Sequence, residues 1–197
     1  MGLKLSDRKI YKNSELPDMN TRKIKTNWYV ITGGPGTGKT TVINLLAKRG
    51  YKTTIEHARH YIDSMKEEGE TVEEIRANKQ KFQLGILAMQ IEQEAELTPD
   101  DTVFLDRAIP DAMAYYKFLK LDYDKLLLTA IEQVSYKKIF ILDRLPLVND
   151  YARTEDELAQ KTIHNLIIDI YESLGFPVIF VPVLNPDDRV DFILKNI

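Results

Sequence analysis

Trp28-Tyr29-Val30-Ile31-Thr32-Gly33-Gly34-Pro35-Gly36-Thr37-Gly38-Lys39-Thr40-Thr41 is the stretch whose reading decides the fold of this chain. Its first five residues are β-branched or aromatic and stop at a pair of glycines, which predicts a buried strand. From Thr40 to Arg49, Val42, Leu45 and Leu46 recur at helical spacing, and Gly50 stands where a helix C-terminal glycine belongs. Between strand and helix, Gly33 to Thr40 matches G-x-x-x-x-G-K-[ST] at every fixed position. Glycines are needed there because the backbone must turn through angles closed to other residues while its N–H groups converge on an anion. The helix that begins at the loop adds unpaired N–H groups and the positive end of its dipole. The expectation is a cradle for the phosphates of ATP or GTP built from Gly34, Pro35, Gly36, Thr37, Gly38, Lys39, Thr40 and Thr41. Lys39 then acts as a mobile charge on the β and γ phosphates, and the Thr40 hydroxyl as a ligand of Mg²⁺. A chance match occurs in about one chain in a hundred of this length, and the flanking strand and helix make chance a poorer explanation still.

Working outward, the pattern repeats. Lys52 to Ile55, Thr102 to Leu105, Ile139 to Leu142 and Val178 to Val183 read as further short strands. Thr71-Val72-Glu73-Glu74 has capping-box spacing and predicts one long helix running to Leu97, ended by Thr98-Pro99. Pro110 opens another helix. A second capping box, Thr154 to Glu157, starts a helix with Leu158, Thr162, Leu166, Ile170 and Leu174 on one face, closed by Gly175. Val190 to Leu194 is a last helical piece. Apolar strands alternating with helices imply an α/β domain, its parallel sheet covered on both faces. Residues 1–27 lack periodicity and read as an N-terminal extension, leaving 28–197 as the domain.

Composition bounds the function. With 27 basic and 30 acidic residues the net charge is −3, which argues against broad nucleic-acid binding. The absence of cysteine removes disulfides, thiol nucleophiles and thiolate zinc sites. No apolar run reaches the roughly 18 residues of a membrane span, and the first residues have no signal-peptide pattern. A cytoplasmic protein with no membrane partner is therefore expected, although Met1-Gly2-Leu3-Lys4-Leu5-Ser6 fits the loose myristoylation pattern.

The remaining chemistry lies at strand ends. Thr102-Val103-Phe104-Leu105-Asp106-Arg107 finishes an apolar strand with opposite charges, and carboxyl ends of parallel strands line the ligand crevice. Asp106 is a candidate Mg²⁺ ligand or general base, and Arg107 a candidate clamp on the acceptor or on transferring charge. Asp143-Arg144 repeats the arrangement, and the irregular segment after it reads as a lid bringing Arg144 and Arg153 over the phosphates. Glu56, after the second strand, is a rival base, and Arg59 a second acceptor clamp. His57 and His60 have no third ligand, so one packed and one exposed histidine is expected. Phe82, Gln83 and Gln90 share a helix face that could meet an acceptor's ring and polar edge.

These residues together resemble the NadR-like branch of P-loop kinases and ATPases, a family often labelled an AAA-type ATPase domain. The resemblance runs from Trp28 to about Leu194. It rests on Val30 to Thr41, Glu56-x-x-Arg59, Phe104-Leu105-Asp106-Arg107-x-x-Pro110-Asp111, Asp150-Tyr151-x-Arg153 leading into Ile163-His164, and Arg189-Val190-x-Phe192-Ile193-Leu194. It implies a three-layer P-loop fold with strand order 2-3-1-4-5 and ATP-dependent phosphorylation of a small nucleoside-like or nucleotide-like molecule, as in ribosylnicotinamide kinase. It also implies that Asp106-Arg107 works on the acceptor side and that Arg153 belongs to the lid. The leading expectation is a Mg²⁺-dependent small-molecule kinase, monomeric or homodimeric. The alternative is a nucleotide-gated ATPase or GTPase module that engages a protein or membrane, and a hexameric motor ranks below both.

Overall fold

The computed structural model describes residues 25–145 and 157–197. Residues 1–24, the myristoylation pattern, the capping box at Thr154 and Arg153, expected in a lid, lie outside the described residues. Five strands, β1 (Trp28–Thr32), β2 (Lys52–Thr53), β3 (Val103–Asp106), β4 (Lys138–Leu142) and β5 (Val178–Val181), form one sheet. Its order is β2-β3-β1-β4-β5, with every pairing parallel. This is the order that the family resemblance implied.

Strand alternation divides the core. Trp28 and Val30, Val103 and Leu105, Ile139 and Ile141 point to one face, where α5 (Ile109–Phe118), α6 (Lys125–Ile131) and α7 (Glu157–Ser173) pack. Tyr29, Ile31, Phe104, Phe140 and Leu142 point to the other, against α1 (Lys39–Lys48) and α8 (Pro186–Lys195). Because both faces are covered, the central strands are apolar throughout rather than alternating, and each buried Phe, Leu or Ile contributes on the order of 2 kcal/mol. The remaining helices, α2 (His57–Glu67), α3 (Val72–Ala77) and α4 (Lys79–Ala95), build a wall that packs on α5 beside the sheet's β2 end.

The predicted helix from Thr71 to Leu97 is two helices. Its capping box forms as expected, with Glu74 N donating to Thr71 Oγ1 at 3.3 Å and Thr71 N to Glu74 Oε2 at 2.9 Å. The backbone then leaves the helical region at Asn78 (φ −91°, ψ 79°), whose side chain accepts from Lys81 N at 3.0 Å and starts α4 anew. Asparagine offers the backbone a competing local hydrogen bond, and here that bond wins. Likewise Asn185 caps α8 through Asp188 N at 3.0 Å, so the last helix starts at Pro186 rather than Val190, and β5 ends at Val181. Helix α6, capped by Asp124, has no counterpart in the sequence reading. Among the described residues no helix is long and apolar enough to cross a membrane.

Candidate functional site

The glycine loop emerges from β1 at the carboxyl edge of the sheet. Gly38 adopts φ 86° at the N-cap of α1, a left-handed conformation that glycine alone enters freely. Gly34 is required for a different reason. A Cβ there would lie 2.8 Å from His164 Cβ and 3.0 Å from the Gln160 carbonyl oxygen, so α7 packs directly on the loop. The Gly34 N–H donates to His164 Nδ1 at 3.1 Å, and the Gly34 carbonyl accepts from Lys39 Nζ at 2.7 Å and from Thr37 Oγ1 at 3.0 Å. Lys39 is buried, and its amine is shifted strongly down from the usual lysine range by loss of solvent, then by the nearby Arg107. Thr40 and Thr41 are exposed on the first turn of α1, with Thr40 next to the loop.

Asp106 ends β3 beside this loop. Its backbone N–H is taken by Thr54 Oγ1 at 2.9 Å, but its buried Oδ1 has no partner. Desolvation pushes the carboxyl up, against the pull of Arg107 and Lys39. Arg107 follows in the left-handed region at φ 68°, a conformation costing about 1 kcal/mol or more for a residue that carries a Cβ. Three contacts over-determine it: Arg107 N donates to Ile31 O at 3.1 Å, and Nη1 donates to Asp111 Oδ1 at 2.9 Å and Gly33 O at 3.3 Å. The guanidinium carbon is 5.3 Å from the Tyr115 ring centroid.

Two residues at this edge enter the sequence analysis only through the family resemblance, with no role expected of either. Asp111, 3% exposed, accepts from four donors: Thr32 Oγ1 at 2.5 Å, Arg107 Nη1, Ala108 N at 3.2 Å and Tyr171 OH at 2.6 Å. It fixes the arginine against the sheet. Arg189, 2% exposed, donates to Thr37 O at 2.6 Å, Pro182 O at 3.0 Å and Asp143 O at 3.1 Å. One guanidinium thus ties the phosphate loop to the ends of β4 and β5. The only signal in the sequence for either is its place in the first turn after a helix-opening proline.

A cavity of about 720 Å³ opens from the loop. Its floor is the segment from Pro35 to Thr41, and its walls include Glu56 and Arg59 of α2, Phe82, Gln83 and Gln90 of α4, and Arg107. Glu56 pairs with Arg59 at 3.8 Å. His57 is buried with Nε2 unpartnered, its imidazole held down to about 4 by burial and then by His60, which is exposed. Gln90 Nε2 is also buried without a partner. Arg144 approaches Glu157 at 3.8 Å and does not line this cavity.

The donor set suits a magnesium ion. Thr40 supplies a hydroxyl at the loop and Asp106 an orphaned carboxylate oxygen, and such ions take most of their ligands from phosphate and water. Among the described residues no cluster of three His, Asp or Glu side chains has metal-binding geometry.

Sheet order, glycine loop and the strand-end carboxylate define the P-loop fold of the nucleoside-kinase type. Residues 28–189 match the family model described as an AAA domain, and the chain belongs to that family. No curated protein sequence matches it. Among solved structures, a NadR protein in complex with NR is 17% identical with a TM-score of 0.61, over 86% of this chain and 51% of that one. Thymidylate kinase from Ehrlichia chaffeensis is 15% identical with a TM-score of 0.61, over 87% and 98%. Deoxyadenosine kinase from M. mycoides with bound dATP is 16% identical with a TM-score of 0.57, over 86% and 98%. The alignment spans about half the length of the NadR protein.

Proposed function

We propose that this protein is a small-molecule kinase that moves the γ-phosphoryl group of ATP to an oxygen of a nucleoside-like or nucleotide-like acceptor. The observation that carries the reading is the cavity. A bare NTPase needs only a water beside the γ-phosphate, whereas here the cavity of about 720 Å³ that opens at the loop also extends between α2, α4 and α5. Thymidylate kinase and deoxyadenosine kinase, which share the fold, are named for acceptors of this kind.

In this reading Lys39 leaves the Gly34 carbonyl to meet the incoming phosphates, and the loop N–H groups hold them. A magnesium ion held by Thr40 and Asp106 would supply neutralising charge on the phosphate oxygens. The acceptor oxygen forms a bond to the γ-phosphorus as the bond to the bridging oxygen of the departing ADP breaks, and the acceptor's proton passes to a carboxylate. Asp106 and Glu56 are the two carboxylates for that role. Glu56, which lines the same cavity, takes that proton where Asp106 holds the magnesium ion, and Asp106 takes it only where it is not a ligand. Arg107, locked by Asp111, holds the charge that develops on transfer. The lid role of Arg153 and a cytoplasmic setting belong to the same reading.

The test is a panel of nucleosides and mononucleotides incubated with γ-labelled ATP and magnesium. Label in an acceptor, at a rate well above hydrolysis, is the expected result. Acceptor-independent hydrolysis across the whole panel would overturn it and favour a nucleotide-gated module.

A further inference from the structure

Three side chains hold the phosphate loop from outside it. Arg107, just before α5, donates to Gly33 O, Arg189 of α8 donates to Thr37 O, and His164 of α7 accepts from Gly34 N. The two arginines stay charged at every working pH. The imidazole can change its charge, and it alone of the three takes a hydrogen from the loop instead of giving one.

Helix α7 presents this ring from a fixed position. Ile163, Ile167 and Ile170 lie in the core, and Tyr171 OH donates to Asp111, the carboxylate that locks Arg107. His164 is itself buried, in direct contact with the loop at Gly34. The 3.1 Å bond from Gly34 N to Nδ1 assigns the state of the ring. Nδ1 needs a free lone pair to accept, so the proton of the neutral imidazole sits on Nε2. Burial holds the imidazole below the usual histidine value. Asp143, just after β4, pulls the other way, while Arg144 beside it and Lys39 of α1 act with burial.

The bond reaches further than one amide. The carbonyl of the same residue receives Lys39 Nζ at 2.7 Å and Thr37 Oγ1 at 3.0 Å, so Gly34 is held on one side by α7 and on the other by two later loop residues. Pro35 follows with a fixed φ and no N–H. The inward donors of the loop therefore start at Gly36, and they take their direction from Gly34.

We propose that His164 is a positioning residue for the phosphate loop: its neutral imidazole accepts the Gly34 N–H and holds the loop in the form that receives the phosphates of the nucleotide. This rests on the loop as a nucleotide site, and not on the transfer reaction or its acceptor. A proton added at Nδ1 sets one N–H against another at this contact, so loop and ring separate and the nucleotide meets a cradle that has to be re-formed. Acid thus weakens nucleotide binding through His164.

Binding of a non-hydrolysable ATP analogue with magnesium is measured between about pH 7.5 and 5 in native protein and in His164→Asn, whose side-chain oxygen can stand in for Nδ1 and gains no proton. Lys39, Asp106 and the analogue titrate in both proteins, so the difference between the two profiles isolates the ring. Over this range the native protein is expected to lose at least about threefold more affinity than His164→Asn. At the upper pH His164→Leu, which offers no acceptor, is expected to bind about tenfold more weakly than native, and His164→Asn to recover most of that loss. Parallel profiles, a native protein that gains on His164→Asn in acid, or a His164→Leu protein that binds like the native one each overturn the proposal. Nitrogen NMR of the native protein without nucleotide needs no variant: the Nε2–H tautomer is expected for His164 near neutral pH, and the Nδ1–H tautomer overturns the assignment. The readings fail separately, because missing label in every acceptor sinks the kinase reading alone, whereas parallel binding profiles sink only the role of His164.

Discussion

The two ends of the cavity are built on opposite terms. At the loop end nearly every polar group has a partner: Gly34 is bonded through both N–H and carbonyl, Arg189 through three carbonyls, and Asp111 through four donors. At the α2–α4 wall, Gln90 Nε2 is buried with none. An unpaired buried polar group costs about 1–3 kcal/mol, so such an amide persists only where something compensates. Among the described residues the loop end leaves Asp106 Oδ1 open, and in the kinase reading the acceptor completes the helical wall.

The largest effect that tests this contrast is at Lys39. Its amine lies 2.7 Å from the Gly34 carbonyl, and in the kinase reading it supplies the mobile cation at the floor of the cradle. Lys39→Ala is expected to lower turnover by about a thousandfold or more while leaving the fold intact, read from steady-state rates beside a thermal melt. A mutant that keeps its rate removes the loop from the chemistry.

Next comes Arg189→Met, which keeps the bulk of the side chain and strands three carbonyls. Unfolding free energy is expected to fall by on the order of 3 kcal/mol in a urea titration. Beyond the fold, ATP binding should weaken by about tenfold, because the Thr37 carbonyl is no longer held. Loss of stability with unchanged ATP affinity would make Arg189 a fold residue only and leave the loop pre-formed without it.

What the sequence made legible follows the same division. The loop, its flanking strand and helix, and the Asp106-Arg107 strand end are local patterns, and short apolar strands alternating with helices sufficed for a covered parallel sheet. Arg189 and His164 could not be read this way, because their partners Thr37 and Gly34 are 152 and 130 residues distant. Asp111 has the pattern of an ordinary first-turn acid until Thr32 and Tyr171 come to it from other elements. The long helix breaks at Asn78, where one side-chain hydrogen bond outweighs a pattern spread over many residues. Gly85 is silent in sequence too. A Cβ there would lie 2.1 Å from the Tyr61 ring, so its absence lets α2 approach α4 and shape the wall.

A titration separates the wall from the loop. Glu94, at the inner end of α4, is pushed up to about 8 by burial, while Tyr136 OH at 2.8 Å and Ile109 N pull the other way. The folded protein therefore holds a proton that the unfolded chain releases near pH 4.5. The stability this gives is present in full below the unfolded value and is lost as pH rises through about 8. Between about pH 6.5 and 8 the loss should approach 2 kcal/mol, because a proton held only by the folded state changes the balance by about 1.4 kcal/mol for each pH step of one. Glu94→Gln, neutral at every pH, should flatten that slope in urea titrations, and a slope unchanged by the substitution would locate the titrating group elsewhere.

The smallest effect is the most discriminating, because its sign is opposite to that at the loop. Gln90→Leu replaces an amide whose Nε2 is buried and unpaired with an apolar group of similar size. Without ligand the variant is expected to be as stable as the native protein or more so, by about 1 kcal/mol, because the desolvation cost of the amide disappears. Acceptor binding should fall by about tenfold at the same time, the nitrogen being kept unpaired for a ligand atom. Destabilisation of the free protein would show that the amide is bonded within the fold. Stabilisation with unchanged acceptor affinity would show that the ligand does not complete the wall at this position. Only the pairing of a more stable protein with a weaker acceptor complex marks a wall left incomplete for its substrate.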